Sequence, residues 1–192
     1  MEKNALNNLN ELILSLNAEK EGVRLFLDRE QNEYAMIRFN ESAAPYVVDR
    51  VEVYKNQNQE WTNVGFFNFT AKPANYMFLW NIEITDESVL NCGVGSRMFN
   101  YLQEIALQSR CKTIEGNYYP KGKQDPEKTK QFYLRNGCSI DKEGYSTVIY
   151  KYIQFEKTLP TKQNEDGFLC YPAYDKDLNN NVTKNKETER SL

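Results

Sequence analysis

The spacing of hydrophobic positions changes along the chain and divides it into predicted helices and strands. From residue 4 to residue 20, leucine and isoleucine recur at helical spacing, which predicts an amphipathic helix with Gly22 as its stop. The hydrophobic residues of this helix are Leu6, Leu9, Leu12, Ile13 and Leu16. From residue 23 to residue 84, short runs rich in Val, Phe, Tyr and Ile alternate with polar clusters, which predicts four or five strands. Their short connections favour an antiparallel meander.

The last of these strands, residues 76–84, has apolar residues at every second position from residue 78. We expect this apolar face to pack against the helix that follows. Its members are Phe78, Trp80, Ile82 and Ile84. The opposite face contains the polar residues Asn81 and Glu83.

Residues 90–106 read LNCGVGSRMFNYLQEIA, in which Gly93 and Gly95 lead into a second helical hydrophobic pattern. Residues 112–119 then indicate another strand. A strand, a helix and a strand over residues 76–119 predict a parallel pair of strands joined by a right-handed crossover.

The remainder of the chain contains one more helix, one more strand and a polar tail. Asp125 and Pro126 are typical of the N-cap and first position of a helix, which we expect to end near Asn136 and Gly137. Residues 145–155 predict a closing strand. The composition then becomes polar, so we expect a globular domain over residues 1–155 and a tail over residues 156–192. We expect the tail to be partly disordered, with one apolar segment at 167–174.

Composition excludes several classes of function. The chain has 192 residues, which is the size of one domain, and a net charge of −3, which does not favour nucleic acid or an anionic membrane surface. It contains no histidine, so catalysis by Ser-His-Asp, Cys-His or HExxH sites is excluded. The four cysteines form no C-x-x-C pair, and no metal site is expected. The N-terminal residues are not typical of a secretory signal and no membrane-spanning run is evident, so we expect a cytoplasmic location.

A glycine turn at the start of a helix is a typical anion site, because the first helical N–H groups have no intrahelical partner and point outward. Three phosphate-binding motifs were compared with residues 90–96. A Walker P-loop is excluded, because its lysine and its spacing are missing. A dinucleotide site has Gly93, Gly95 and an acid at Glu115, but its third glycine is Met98 and eight residues separate the strand from the turn.

The third motif matches more of the chain. Residues 76–138 resemble the GNAT superfamily of N-acetyltransferases, whose coenzyme A signature R/Q-x-x-G-x-G/A stands here as LNCGVG, residues 90–95. A second family element, a helix that ends in a phrase such as FYxxxGF, stands here as FYLRNGC, residues 132–138. Three features differ from the family pattern: Leu90 replaces the Arg or Gln, Pro126 replaces a frequent asparagine, and the usual pair of helices after the first strand is not evident.

The resemblance implies a GNAT-like α/β fold: a mixed, mostly antiparallel sheet of about six to seven strands, flanked by helices, with a strand–helix–strand coenzyme A site. It implies that acetyl-CoA donates its acetyl group directly to an amine of a small molecule or a peptide. A tyrosine would act as general acid and a strand carboxylate as base. The implied catalytic residues are Tyr133, Glu115 and Glu83, and which glutamate acts as base stays open.

The resemblance also implies how the cofactor binds. Backbone groups of Ile82, Glu83 and Ile84 would bind the pantetheine arm, and one N–H there would stabilise the oxyanion. The pyrophosphate would lie on the turn formed by Asn91, Cys92, Gly93, Val94, Gly95 and Ser96. Cys92 is interpreted as a loop residue that contributes its N–H rather than as a nucleophile. Cations considered for the 3′-phosphate of coenzyme A are Arg97, Lys128 and Lys130.

A second hypothesis is a non-catalytic GNAT-like binding or regulatory protein, motivated by Leu90, Pro126 and the missing helix pair. The partner expected under the first hypothesis is the amine acceptor. The sequence is also compatible with a homodimer, and it predicts no nucleic-acid or membrane partner.

Overall fold

The fold was described from a computed structural model, which defines residues 3–43, 46–73, 75–117, 125–143, 146–152 and 161–173. Three helices are present in these ranges: α1 (Lys3–Ser15), α2 (Val94–Gln108) and α3 (Pro126–Arg135). The strands are β1 (Val23–Leu27), β2 (Glu33–Ala43), β3 (Tyr46–Gln57), β4 (Glu60–Ala71), β5 (Tyr76–Ile84), β6 (Thr113–Asn117), β7 (Ser139–Glu143), β8 (Ser146–Tyr152), β9 (Lys162–Gln163) and β10 (Leu169–Cys170).

Within the described ranges the strands form one sheet in the order β7-β8-β6-β5-β4-β3-β2-β1-β10-β9. Strands β1 to β5 pair in sequence and antiparallel, β5 pairs parallel with β6, and β6 pairs antiparallel with β8. The predicted fold class, a mostly antiparallel sheet flanked by helices, is therefore confirmed. The sheet has more strands than the six or seven expected, because β7, β9 and β10 join its two edges.

The two faces of the sheet bury different helices. In β2, Tyr34 and Met36 belong to the larger hydrophobic core with α2, whereas Ala35 and Ile37 belong to a smaller core with α1. Because neighbouring residues in a strand point to opposite faces, α1 and α2 lie on opposite sides of the sheet. We call these the α2 face and the α1 face.

Helix α1 ends earlier than the sequence predicts. Asn17 adopts a left-handed backbone with φ of 50°. The N–H of Ala18 donates to the carbonyl of Ile13 at 3.0 Å, which is the Schellman arrangement that closes a helix. Asparagine can supply this left-handed residue, so the helix does not reach Gly22.

The predicted apolar face of β5 is wrong in its first half. Asn68 pairs with Asn81 but Phe69 pairs with Leu79, so Trp80 is the extra residue of a β-bulge. The bulge reverses the alternation: Met77 and Leu79 are buried in the core on the α2 face, whereas Trp80 is 59% exposed. Beyond the bulge, Ile82 and Ile84 pack on the α2 face as expected.

Residues 161–173 lie along the free edge of β1 and are called the strap. Leu169 and Cys170 pair parallel with Arg24 and Leu25. Phe168 is fully buried in the core under α1, and Tyr171 is buried in the core under α2. The strap thus contributes side chains to both faces of the sheet. The division of the chain at residue 156 and the disorder of the tail stay predictions, and residues 153–160 and 174–192 lie outside the described residues.

Candidate functional site

The glycine turn connects the end of β5 to the start of α2. The approach to it includes a short 3₁₀ turn, Glu87–Val89, capped by Asp86, whose carboxylate accepts from the N–H of Ser88 at 2.9 Å. Asn91 and Gly93 then take left-handed conformations, with φ of 65° and 93°. Gly93 is the N-cap of α2 and provides no side chain to the first turn. The first N–H groups of α2 therefore face outward at the positive end of the helix dipole.

Three elements of the site lie next to one another at Gly95. A Cβ atom at this position would lie 3.1 Å from Cε2 of Phe132 in α3 and 3.7 Å from Cδ1 of Ile84 at the end of β5. The glycine turn, the last residue of β5 and the FY segment of α3 are thus adjacent. The two sequence motifs, separated by about 40 residues in the chain, meet in the fold.

Strands β5 and β6 separate next to this turn. They pair over four positions, from Tyr76 with Thr113 to Leu79 with Gly116. Residues 81–84 of β5 continue to pair with β4, but among the described residues they have no partner in β6. Within the described part of the chain, β5 therefore has one open edge from the bulge at Trp80 to the glycine turn.

The three predicted catalytic side chains lie on two faces of the sheet. Tyr133 is 8% exposed and belongs to the core on the α2 face, where its ring lies 6.4 Å from that of Phe99. Glu83 pairs with Phe66 and Glu115 with Phe78, which assigns both carboxylates to the α1 face. The tyrosine and the glutamates thus reach a common point only through the opening between β5 and β6.

The two glutamates are not adjacent to each other. Glu83 lies five positions beyond Phe78, the partner of Glu115, which corresponds to roughly 15 Å along the strand. Glu83 accepts a hydrogen bond from Nδ2 of Asn81 at 3.2 Å, and Glu115 accepts one from Oγ1 of Thr113 at 2.9 Å. Among the described residues, neither carboxylate forms an ion pair. Glu115 lies next to the point where the strands separate, whereas Glu83 lies near the glycine turn.

Backbone contacts connect Tyr133 to the same level of the sheet as Glu115. The carbonyl of Tyr133 accepts from the N–H of Cys138 at 3.0 Å, immediately before β7. The first residue of β7, Ser139, pairs with Tyr150, and Tyr150 pairs with Glu115. Tyr133 and Glu115 are therefore anchored on opposite faces near the start of the opening.

The cations and the thiol named from the sequence have different surroundings. Arg97 is 4% exposed, donates to the carbonyl of Pro172 at 2.8 Å and stacks over the ring of Tyr171. It therefore fixes the strap and is directed away from solvent, whereas Lys128 and Lys130 are exposed on α3. Partial burial and the nearby Glu30 and Asp28 carboxylates raise the pKa of the Cys92 thiol. Its thiolate form is disfavoured. The N–H of Cys92 donates to the carbonyl of Val89 at 3.5 Å, so its contribution to a cofactor site stays a prediction.

Sequence reasoning missed one contact at the site. The N–H of Arg29, in the turn between β1 and β2, donates to the carbonyl of Cys92 at 3.2 Å. The turn and the glycine motif are more than 60 residues apart. No local pattern connects them, so the contact became visible only in the fold.

Comparison with known proteins was made at the level of sequence and of structure. No family model matches the chain, and no curated protein sequence matches it. Solved structures do match part of it. An acetyltransferase of the GNAT family from Staphylococcus aureus is 15% identical, with a TM-score of 0.45 over 55% of this chain and 68% of its own.

Two further similar structures are described as Ard1 from Thermoplasma volcanium and NAA60 from Arabidopsis thaliana, the latter in complex with a bisubstrate analogue. The first is 14% identical, with a TM-score of 0.42 over 54% of this chain and 70% of its own. The second is 8% identical, with a TM-score of 0.45 over 56% of this chain and 77% of its own. The solved structures similar to this chain thus include the family that LNCGVG and FYLRNGC resemble.

Proposed function

We propose that this chain is an N-acetyltransferase that transfers the acetyl group of acetyl-CoA to an amine of a small molecule or a peptide. The observation that supports it best is the edge of β5 that is open, among the described residues, from the bulge at Trp80 to Ile84, which lies next to the glycine turn in the fold. An extended pantetheine arm can pair with an open strand edge much as another strand would. The turn at its end offers outward-facing N–H groups to a pyrophosphate.

The proposed reaction is a direct attack of the amine on the thioester carbon. The amine nitrogen forms a bond to the carbonyl carbon, the C–S bond breaks, and the thiolate takes a proton from Tyr133. Backbone N–H groups of the Ile82–Ile84 segment would stabilise the oxyanion of the tetrahedral intermediate. A carboxylate accepts the proton that the amine loses, directly or through water.

Glu115 is the carboxylate that we propose as the base. It lies at the level where β5 and β6 separate, and Tyr133 is anchored at the same level on the other face. The acceptor would then approach from the α1 face while the tyrosine reaches the sulfur from the α2 face. Glu83, roughly 15 Å further along the strand, would contribute its backbone to the cofactor site.

Thermal unfolding with and without acetyl-CoA tests the cofactor. At a hundred times its dissociation constant, acetyl-CoA should raise the free energy of unfolding by about 2.7 kcal/mol, whereas NADH should have no effect. For a chain of this size that corresponds to a shift in Tm of about 5–10 °C. A shift with NADH alone would favour the dinucleotide site instead.

A screen of amines, followed by release of free coenzyme A, tests the reaction. Release with at least one amine is expected. Binding of acetyl-CoA without release for any alkylamine, arylamine or peptide amine would favour the second hypothesis, a non-catalytic binding or regulatory protein.

A further inference from the structure

The turn between β1 and β2 contacts the glycine turn through Arg29. Its backbone N–H donates to the carbonyl of Cys92 at 3.2 Å, and its Nη1 donates to the carbonyl of Asn91 at 3.5 Å. Arg29 is an exposed residue. A guanidinium group therefore lies beside the backbone that is proposed to receive the pyrophosphate.

Asp28 holds the turn that presents Arg29. This carboxylate is fully buried and accepts hydrogen bonds from the backbone N–H groups of Glu30 and Asn32, from Nδ2 of Asn32 and from the hydroxyl of Tyr34. These four contacts measure between 2.8 and 2.9 Å. The hydrogen bonds of Asp28 thus fix the turn from inside and hold the backbone N–H of Arg29 against Cys92.

The first position of the GNAT-type signature has no polar or charged side chain in this sequence. Its first position is Arg or Gln, and here it is Leu90, which is 48% exposed. A leucine side chain cannot donate a hydrogen bond to a phosphate or offset its charge. A cation from another element can do both, because a guanidinium forms paired, charge-assisted hydrogen bonds with phosphate oxygens.

Charges of both signs surround the glycine turn. The carboxylates of Glu30 and Asp28 raise the pKa of Cys92, and Lys55 and Arg29 lower it, so both signs lie within electrostatic range of the turn. Two carboxylates alone would repel a pyrophosphate. Of these two cations, Arg29 is the one whose side chain donates a hydrogen bond to the glycine turn.

We infer that Arg29 binds the pyrophosphate of acetyl-CoA and replaces, from the β1–β2 turn, the side chain that Leu90 does not provide. This inference rests on the proposed function. It adds the β1–β2 turn of the N-terminal half to the cofactor site.

Equilibrium binding of two probes to the full chain tests the inference: acetyl-CoA and acetyl-pantetheine. Arg29→Gln should weaken acetyl-CoA about tenfold, as expected for one charge-assisted contact. It should leave acetyl-pantetheine unchanged, because that probe has no pyrophosphate. Arg29→Lys keeps the charge but not the paired geometry, so its loss for acetyl-CoA should be smaller.

Arg110→Gln is the matched control, because Arg110 follows the far end of α2, about 20 Å from the turn, and should leave all affinities unchanged. Equal acetyl-CoA affinity of the wild type and Arg29→Gln would overturn the inference. So would an equal loss for acetyl-pantetheine, which would mean that the variant disturbs the turn itself. Failure of the wild type to bind acetyl-CoA would instead overturn the proposed function, so the two failures are distinguishable.

Discussion

At the scale of single residues, Tyr133 is both a core aromatic and the proposed acid. Its ring packs with those of Phe99 and Phe132, with centroids 6.4 and 5.1 Å apart. Phenylalanine would preserve this packing and remove only the hydroxyl. The position therefore allows the chemical role to be separated from the structural one.

Tyr133→Phe should lower kcat by about a hundredfold, the size expected for loss of a general acid. The KM for acetyl-CoA and the Tm should change little, because the ring remains. Steady-state kinetics and thermal unfolding check this, with Tyr76→Phe, at the start of β5, as the matched control. An unchanged kcat would remove Tyr133 as the acid.

Substitution of the two strand glutamates should affect kcat to different extents. Glu115→Gln should lower kcat at least tenfold more than Glu83→Gln does, because only Glu115 lies where the strands separate. Glutamine retains the hydrogen bond from Thr113, so Glu115→Gln should fold normally. The opposite order of effects would assign the base to Glu83.

At the scale of elements, the β1–β2 turn depends on the ionised form of Asp28. Burial alone would raise the pKa of Asp28, but the hydrogen bonds from Asn32, Glu30 and Tyr34 outweigh it and lower the pKa. A depressed pKa in the folded state means that the stabilisation is present above the unfolded pKa, near 4. It is lost as the pH falls through the folded value.

Asp28→Asn should therefore lower the free energy of unfolding at pH 7 by about 1–3 kcal/mol and flatten its decrease between pH 5 and pH 3. Denaturant unfolding across this pH range measures both effects. Asp141→Asn, at an exposed position of β7, should keep the slope of the wild type. An equally steep decrease in Asp28→Asn would show that other carboxylates cause it.

Local signals in the sequence were sufficient for several elements. Asp125 caps α3 by accepting from the N–H groups of Glu127 and Lys128, and Gly137 closes that helix with φ of 77°, as predicted. The bulge at Trp80 was not predictable, because it depends on the register between β4 and β5, which the sequence of β5 alone does not show. Arg97 was not predictable from the sequence either. Its charge suggested that it binds a phosphate, but its side chain donates to the carbonyl of Pro172, 75 residues away.

At the scale of the whole molecule, one buried polar cluster connects β1, α2 and the strap. Arg24 of β1 forms an ion pair with Glu104 of α2, and the hydroxyl of Tyr171 donates to the same carboxylate at 2.6 Å. Among the residues that the structure describes, no helix is long and apolar enough to cross a membrane. The Arg24–Glu104–Tyr171 cluster holds β1, α2 and the strap together inside the protein.

A variant that ends at residue 160 should be less stable than one that ends at residue 173. The shorter chain loses the buried rings of Phe168 and Tyr171, and loss of one such ring costs about 3–5 kcal/mol. Its Tm should therefore fall by about 10 °C or more, as measured by calorimetry at equal concentration. Equal Tm values for the two variants would mean that the strap does not stabilise the sheet.

The strap also has a consequence for the order in which the protein can assemble during synthesis. Lys20 and Asp166 are in contact although 146 residues separate them. On the ribosome, β1 and the meander that follows it emerge long before β10, so the edge of β1 stays unpaired for most of translation. Refolding of the variant that ends at residue 173 should accordingly be slower than that of the variant that ends at residue 160, because closure of so long a loop is a late and entropically costly event.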